Sequence, residues 1–132
     1  MAFLIDTNIA IHARDGTEAV LDKLAEHDGE VLISALSLAE LERGLYKNPS
    51  YTALRQTRLN ILLQHIPVLP FDADAAKAYG RIIAQCGWAK GRDYHRMIAA
   101  HAISTGAVLV MANDADFHDI PGLSIENWTI GR

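Results

Sequence analysis

Apolar residues in this chain fall into short unbroken runs that alternate with longer stretches of helical spacing. The runs at residues 3–5, 31–33 and 108–111 contain only apolar side chains, which is typical of strands buried on both faces of a parallel sheet. Residues 67–70, where prolines favour an edge position, and residues 124–126 also predict short strands. The pattern therefore predicts a central sheet of four to five strands.

The intervening stretches predict helices, because their apolar residues recur every three or four positions. A short helix or turn at 9–14 is followed by predicted helices at 17–27, 37–46, 51–65, 72–87 and 93–105. Alternation of strands and helices favours an α/β sandwich whose sheet is mostly parallel. At 132 residues the chain is expected to form a single domain, residues 1–132.

Composition narrows the class of protein. The formal net charge is −4, so any contact with nucleic acid must rely on local basic patches. The one cysteine, Cys86, excludes an internal disulfide and fits a cytoplasmic protein. The sequence has neither a signal-peptide pattern nor an apolar run long enough to span a bilayer, so no membrane association is expected.

Three acidic residues are predicted to meet at one edge of the sheet. Asp6 and Asp116 follow buried strands, and Glu40 lies in the first turn of the helix after another strand. Parallel strands end at the same edge, so their carboxylates should lie near one another. Clustered carboxylates repel one another and need a cation, and oxygen ligands suit Mg²⁺ or Mn²⁺. Such an ion can activate water and stabilise charge on a phosphodiester.

Local structure offers a second explanation for these acids. Asp6 and Asn8 are residue types that shape turns by bonding to nearby backbone. Ser37 and Glu40 have the spacing of a capping box, in which Glu40 would bond back to the start of its helix. Spacing alone leaves both explanations open.

Five groups of residues, in order along nearly the whole chain, resemble a known family. They are Leu-Ile-Asp-Thr-Asn at 4–8, Ser34 with Ala39-Glu40-Leu41 and Gly44, Ile98-Ala99-Ala100-His101-Ala102, Asn113 with Asp116-Phe117, and Pro121-Gly122-Leu123 with Glu126-Asn127-Trp128. Together they resemble a PIN-domain ribonuclease and, more narrowly, the VapC toxins of bacterial toxin–antitoxin pairs. The resemblance implies a three-layer α/β/α fold, RNA cleavage that depends on Mg²⁺ or Mn²⁺, homodimers, and inhibition by a cognate antitoxin.

The resemblance also implies roles for individual residues. Asp6, Glu40 and Asp116 would be the catalytic, metal-binding acids. Thr7 and Asn8 would orient Asp6, and Asn113 would support the loop that carries Asp116. The antitoxin would lie across an apolar groove, for which the helical spacing suggests Leu38, Leu41 and Leu45.

His95 departs from the family pattern, which has an acid three residues before Ile98. Imidazole can bind Mn²⁺ but is a poor ligand for Mg²⁺. Three explanations are open: His95 is itself a ligand or moves protons, a non-helical Asp93 supplies the missing carboxylate, or the site is weakened. The alternative function is therefore a catalytically weakened module that still binds antitoxin or RNA.

Basic residues on two predicted helices are candidates for contact with RNA. Arg43 and Lys47 share one helix face, and Arg92 and Arg96 share another. If these helices border the acidic edge, their side chains could hold RNA phosphates. A solvated surface explains them equally well.

Overall fold

The computed structural model describes residues 1–130. The strands are β1 (Phe3–Ile5), β2 (Val31–Ser34), β3 (Val68–Leu69), β4 (Val108–Val110) and β5 (Ile125–Glu126). The helices are α1 (Thr7–Asp15), α2 (Glu18–Glu26), α3 (Ala35–Leu45), α4 (Thr52–His65), α5 (Ala73–Cys86) and α6 (Asp93–Thr105). Two short 3₁₀ turns lie at Pro49–Tyr51 and Asp114–Asp116.

The sheet has the strand order β3-β2-β1-β4-β5, and all neighbouring strands are parallel. Strand β1 is central: Leu4 pairs with Leu32 on one side and with Leu109 on the other. The chain adds strands outward from β1 in one direction and then returns to add β4 and β5 in the other. The crevice between β1 and β4 is therefore the point where strand order reverses, the usual ligand position in such sheets.

Side chains alternate across β1 and divide the core into two clusters. Phe3 and Ile5 pack on the face covered by α1 to α4, and Leu4 packs on the face covered by α5 and α6. Helices thus cover both faces, as a parallel sheet of apolar strands requires. This arrangement confirms the predicted α/β fold with its parallel sheet of four to five strands. Strand β3 lies at one edge, as its prolines indicate.

Two helices begin earlier than predicted because the residue at each strand end acts as the helix cap. Asp6 follows β1 directly, and its Oδ1 accepts a hydrogen bond from Ile9 N–H at 2.9 Å. Ser34 ends β2 and caps α3, accepting from Leu36 N–H at 3.1 Å. The capping box predicted from Ser37 and Glu40 is therefore wrong, since Ser34 caps this helix.

The apolar groove predicted from Leu38, Leu41 and Leu45 is also wrong. Leu41 and Leu45 are 1% and 0% exposed, within the core between α3 and the sheet. Among residues 1–130, no helix combines the length and apolar character needed to cross a bilayer.

Candidate active site

Asp6 lies at the crevice where strand order reverses. Its backbone N–H donates to Val110 O at 2.9 Å, which ties the end of β1 to the end of β4. Its side chain is 5% exposed. Burial raises the pKa of Asp6 from 3.8 to about 6, against the lowering effect of the backbone N–H groups of Ile9 and Asn8. The charges of Asp116 and Glu40 raise this pKa further, so the three predicted acids share one electrostatic environment.

Glu40 is held beside this crevice by a residue from another helix. Thr7, the first residue of α1, donates from its hydroxyl to Glu40 Oε1 at 2.6 Å. Arg43, one turn further along α3, approaches Glu40 Oε2 at 3.6 Å. Thr7 was predicted to orient Asp6, but its hydrogen bond runs to Glu40. Asn8 is exposed and lines the cleft in front of these groups.

A cluster of hydroxyl groups supports Thr7, and sequence reasoning missed it. The phenol of Tyr94, at the start of α6, hydrogen-bonds both Thr7 and the buried Ser37, the latter at 2.9 Å. Burial raises the pKa of the Tyr94 phenol, so the group stays protonated. Because this cluster joins α1, α3 and α6, it sets where Glu40 lies relative to Asp6. Only the position of Tyr94 next to His95 could have drawn attention to it.

Asp116 comes from the 3₁₀ turn after β4. The side chain of Asn113 accepts a hydrogen bond from Ala115 N–H at 3.2 Å and so stabilises that turn. His95 Nε2 lies 3.3 Å from Asp116 Oδ2, and the His95 ring packs 5.2 Å from the Phe117 ring. His95 Nδ1 is buried and finds no hydrogen-bond partner among residues 1–130. The residue that departs from the family pattern thus lies directly against one of the three acids.

Asp93 could supply the missing carboxylate only if it were outside the helix, and the structure places it within α6. It is the first residue of α6, and its carboxylate accepts a hydrogen bond from the hydroxyl of Tyr79. A helical Asp93 lies on a different side of α6 from His95. The structure therefore gives no support to Asp93 as the missing acid.

Arg92 and Arg96 are engaged elsewhere. Both approach Asp119 Oδ2, at 3.2 Å and 3.3 Å, and Arg96 is 3% exposed. Paired and, for Arg96, buried, they are not favoured as contacts for RNA. The predicted shared helix face is not observed, since Arg92 directly precedes α6, and the sequence could not identify Asp119 as the acid that both residues approach.

A cleft of about 420 Å³ runs along α1 and α3 from the acidic residues. Its lining includes Asp6, Thr7, Asn8, Glu40, Tyr94 and His95, and also the basic side chains of Arg14, Arg43, Lys47 and Arg55. Both helices begin at the carboxyl edge of the sheet, and the basic residues come later along the chain. The cleft is consequently acidic at the sheet edge, and further along its lining is mainly basic, with the carboxylate of Asp15 beside Arg14.

A family model described as the PIN domain matches residues 3–123 of this chain. The chain belongs to the PIN domain family. Within that family it is similar to ribonuclease VapC2 of Rickettsia felis, with 33% identity over 97% of this chain and 98% of that protein. It is also 31% identical to the tRNA(fMet)-specific endonuclease VapC of Shigella flexneri, over 98% of this chain and 99% of that protein.

Solved structures agree with this assignment of the PIN domain. The VapBC2 complex of Rickettsia felis bound to a promoter DNA fragment superposes with a TM-score of 0.86 at 30% identity, over 97% of this chain and 99% of that one. The DNA-bound VapBC complex of Salmonella typhimurium gives 0.87 at 29% identity, over 97% and 98%. The predicted membership of the VapC group is therefore confirmed.

The donor chemistry of this PIN domain suits a hard divalent cation. Asp6, Glu40 and Asp116 carry carboxylate oxygens. A cation relieves both the burial of the Asp6 charge, the main cause of its raised pKa, and the smaller repulsion from Asp116 and Glu40. Within residues 1–130, however, no three His, Cys, Asp or Glu side chains form a ready-made metal site. If the imidazole of His95, which lies beside Asp116, were a fourth ligand, it would suit Mn²⁺ better than Mg²⁺.

Proposed function

We propose that this PIN domain is a divalent-metal-dependent endoribonuclease that hydrolyses RNA phosphodiester bonds as the toxin of a toxin–antitoxin pair. The observation that carries the proposal is the buried carboxylate of Asp6, whose pKa is raised to about 6 beside Glu40 and Asp116. These acids lie at the reversal of strand order in a chain similar to VapC ribonucleases along nearly its whole length.

Asp6, Glu40 and Asp116 would hold Mg²⁺ or Mn²⁺, which supplies an activated water and stabilises charge on the phosphodiester. Thr7 holds Glu40 in place through its hydroxyl, and Asn113 stabilises the turn that carries Asp116. Asn8 lines the cleft where an RNA strand would pass.

The test compares Asp6→Asn with Asp22→Asn, which removes an exposed acid from α2. We expect Asp6→Asn to abolish RNA cleavage while its circular dichroism stays that of the wild type, and we expect Asp22→Asn to cleave normally. EDTA should remove the wild-type activity, and added Mg²⁺ or Mn²⁺ should restore it. Undiminished cleavage by the folded Asp6→Asn protein would end the proposal.

The contact of 3.3 Å between His95 and Asp116 favours a second candidate function. In this second function, the imidazole of His95 is paired with the carboxylate of Asp116. The protein is then a weakened nuclease that binds RNA or antitoxin without efficient turnover. His95→Asp separates the two. A large gain in Mg²⁺-dependent cleavage supports the weakened module, and a loss shows that His95 contributes to the active enzyme.

The proposed partners are a cognate antitoxin and a second copy of the chain. Several similar solved structures are VapBC complexes, and an apolar groove of about 320 Å³ between α2 and α4 offers a place for an antitoxin segment. Ile61 lines this groove and is 52% exposed, while Leu54, also on α4, is 47% exposed and lies outside it. Size-exclusion chromatography with light scattering tests the dimer.

Co-expression with the product of the neighbouring gene tests the groove. We expect Ile61→Asp to prevent co-purification of that protein and Leu54→Asp to leave it intact. Equal retention by both variants would contradict docking in this groove.

A further inference from the structure

His101 is a buried polar side chain on α6 that has no part in the chemistry described above. It is 1% exposed, and its Nδ1 lies 2.8 Å from the hydroxyl oxygen of Ser34, which is itself 0% exposed. The two residues are 67 positions apart in the chain, so the contact joins α6 to the end of β2. Buried polar groups are costly unless they are hydrogen-bonded, and this contact therefore holds both side chains in place.

The other partners of Ser34 and His101 define which of the two donates. The hydroxyl oxygen of Ser34 already accepts a hydrogen bond from Leu36 N–H at 3.1 Å. The ring of His101 also donates to the carbonyl oxygen of Pro70, which has no N–H of its own. The ring proton therefore lies on Nε2, and Ser34 donates its proton to Nδ1. Burial lowers the pKa of His101, against the charge of Asp72 and the Pro70 carbonyl, and so favours the neutral imidazole.

The contact with His101 fixes the start of α3, the helix that carries Glu40. Ser34 both ends β2 and caps α3, so a single hydroxyl group is shared between α3 and α6. An α-helix is held by its own hydrogen bonds and has 3.6 residues per turn, so a shift at the cap is carried to Glu40 about two turns later. The imidazole on α6 thus bears on the position of a carboxylate that it does not touch.

A second contact joins α3 and α6, which we call the linked helices. Tyr94 on α6 hydrogen-bonds Ser37 on α3 at 2.9 Å. Tyr94 and His101 lie about two turns apart on one face of α6, and Ser34 and Ser37 lie about one turn apart at the start of α3. Two separate contacts fix the angle between the linked helices as well as their distance. With one contact alone, α3 could pivot about it.

We propose that His101, as a neutral imidazole that accepts a hydrogen bond from Ser34, is a positioning residue for the carboxylate of Glu40. The inference rests on the proposed function, because the position of Glu40 affects catalysis only if this carboxylate holds the cation. Without the contact between His101 and Ser34, α3 pivots about Ser37, and Glu40 moves relative to Asp6. The site then binds the cation less tightly.

The test compares His101→Leu with His101→Asn. The two new side chains have the same branched shape, but asparagine can place an oxygen where leucine has a methyl group, close to the position of Nδ1. We expect His101→Leu to lower kcat and the affinity for Mn²⁺, measured by calorimetry, about tenfold each. We expect His101→Asn to recover most of both, because its amide oxygen can accept from Ser34. KM for a short RNA should stay near the wild-type value in both variants.

A purely structural role for His101 predicts the opposite order. Leucine has the higher helix propensity and suits an apolar interior, so His101→Leu would then be the more stable and the more active variant. Val20→Ala, a core change in α2 outside the linked helices, controls for lost stability. We expect Val20→Ala to unfold at lower urea concentration than the wild type and to keep the wild-type kcat and Mn²⁺ affinity.

Two measurements on the metal-free protein test the contact itself. Nitrogen-15 NMR of the imidazole at neutral pH should show a neutral His101 with its proton on Nε2. In a double-mutant cycle followed by urea unfolding, Ser34→Ala and His101→Leu should be non-additive, because the second substitution removes a contact that the first has already broken.

Other outcomes refute the inference in distinguishable ways. If both His101 variants match the wild type in kcat and Mn²⁺ affinity while cleavage still requires Asp6, the inference fails and the proposed function stands. If His101→Leu is at least as active as His101→Asn, His101 contributes packing alone. A proton on Nδ1, or additive effects in the cycle, refutes the hydrogen bond on which the inference depends. If the wild type neither cleaves RNA nor binds Mn²⁺, both proposals fail.

Discussion

Replacing Asp6 by asparagine tests whether the buried carboxylate of Asp6 lowers the free energy of unfolding of the protein. The substitution removes the charge and keeps the shape, and the amide oxygen of asparagine can still accept the hydrogen bond from Ile9 N–H that caps α1. We therefore expect the variant to be inactive and, at neutral pH, more stable than the wild type. Such an exchange of activity for stability is common where function requires an unfavourable group.

The magnitude follows from the pKa of Asp6, which burial raises from 3.8 to about 6. The folded protein binds the proton more tightly than the unfolded chain, so the contribution of Asp6 to stability is fully present below about pH 3.8. It is lost as the pH rises to about 6, and the loss then stays constant. The difference of about 2 in pKa corresponds to about 3 kcal/mol in the free energy of unfolding.

The assay is urea unfolding of both proteins at about pH 4 and about pH 7.5. Because the unfolded carboxyl is already partly ionised at pH 4, we expect the stability difference between Asp6→Asn and wild type to become more favourable to the variant by about 2.5 kcal/mol over that interval. Taking the difference between two pH values cancels any packing change that does not depend on pH. In a thermal scan at neutral pH the same effect corresponds to a shift on the order of 10 °C.

Divalent cations provide a second arm of this experiment. A cation that binds through Asp6 stabilises the folded wild type by mass action, and it should have little effect on the variant. The reasoning is refuted if the stability difference between the two proteins is the same at both pH values. The reasoning is also refuted if Asp6→Asn is less stable than the wild type at neutral pH and equally stable at about pH 4.

Three further substitutions test other parts of the structure. Tyr94→Phe leaves two hydroxyl groups without their shared partner, so we expect a loss of about 1–3 kcal/mol in urea unfolding. It should also lower kcat, because Thr7, which holds Glu40, loses its hydrogen bond to the Tyr94 hydroxyl, and unchanged turnover would contradict that positioning role. Leu41→Ala should cost about 2–5 kcal/mol, because Leu41 is a core residue, and a fully stable variant that fails only to bind antitoxin would contradict its burial. Arg96→Ala should cost about 1–3 kcal/mol through loss of its contact with Asp119 and leave RNA affinity unchanged, and weaker RNA binding by the folded variant would reverse this conclusion.

Apolar runs identified the central strands because a strand buried on both faces needs no polar residues. β1, β2 and β4 were predicted on this basis, and each lies within one residue of its observed bounds. The acids at the strand ends could also be predicted, since parallel strands place their carboxyl ends together. Family membership followed from the order of short motifs and is confirmed by the comparisons.

The local sequence pattern gave wrong hydrogen-bond partners where a side chain bonds a residue that is distant in the chain. The spacing of Ser37 and Glu40 matches a capping box, yet Ser34 caps α3 and Glu40 bonds Thr7, 33 residues away in the chain. Helical spacing likewise marked Leu41 and Leu45 as one apolar face. It could not say whether the sheet or an antitoxin covers that face.

The chemistry available to this protein follows from its residue types and their order: acids after buried strands, an imidazole where the family has an acid, and basic residues in pairs. Which of these groups meet was decided by tertiary structure. Tyr94 reaches Thr7 across 87 residues, His95 lies against Asp116, and Arg96 is paired in the interior. Contacts between distant segments depend on how helices pack on the sheet, and spacing along one helix carries no information about that packing. The division of the cleft into an acidic end and a mainly basic end is therefore a property of the fold.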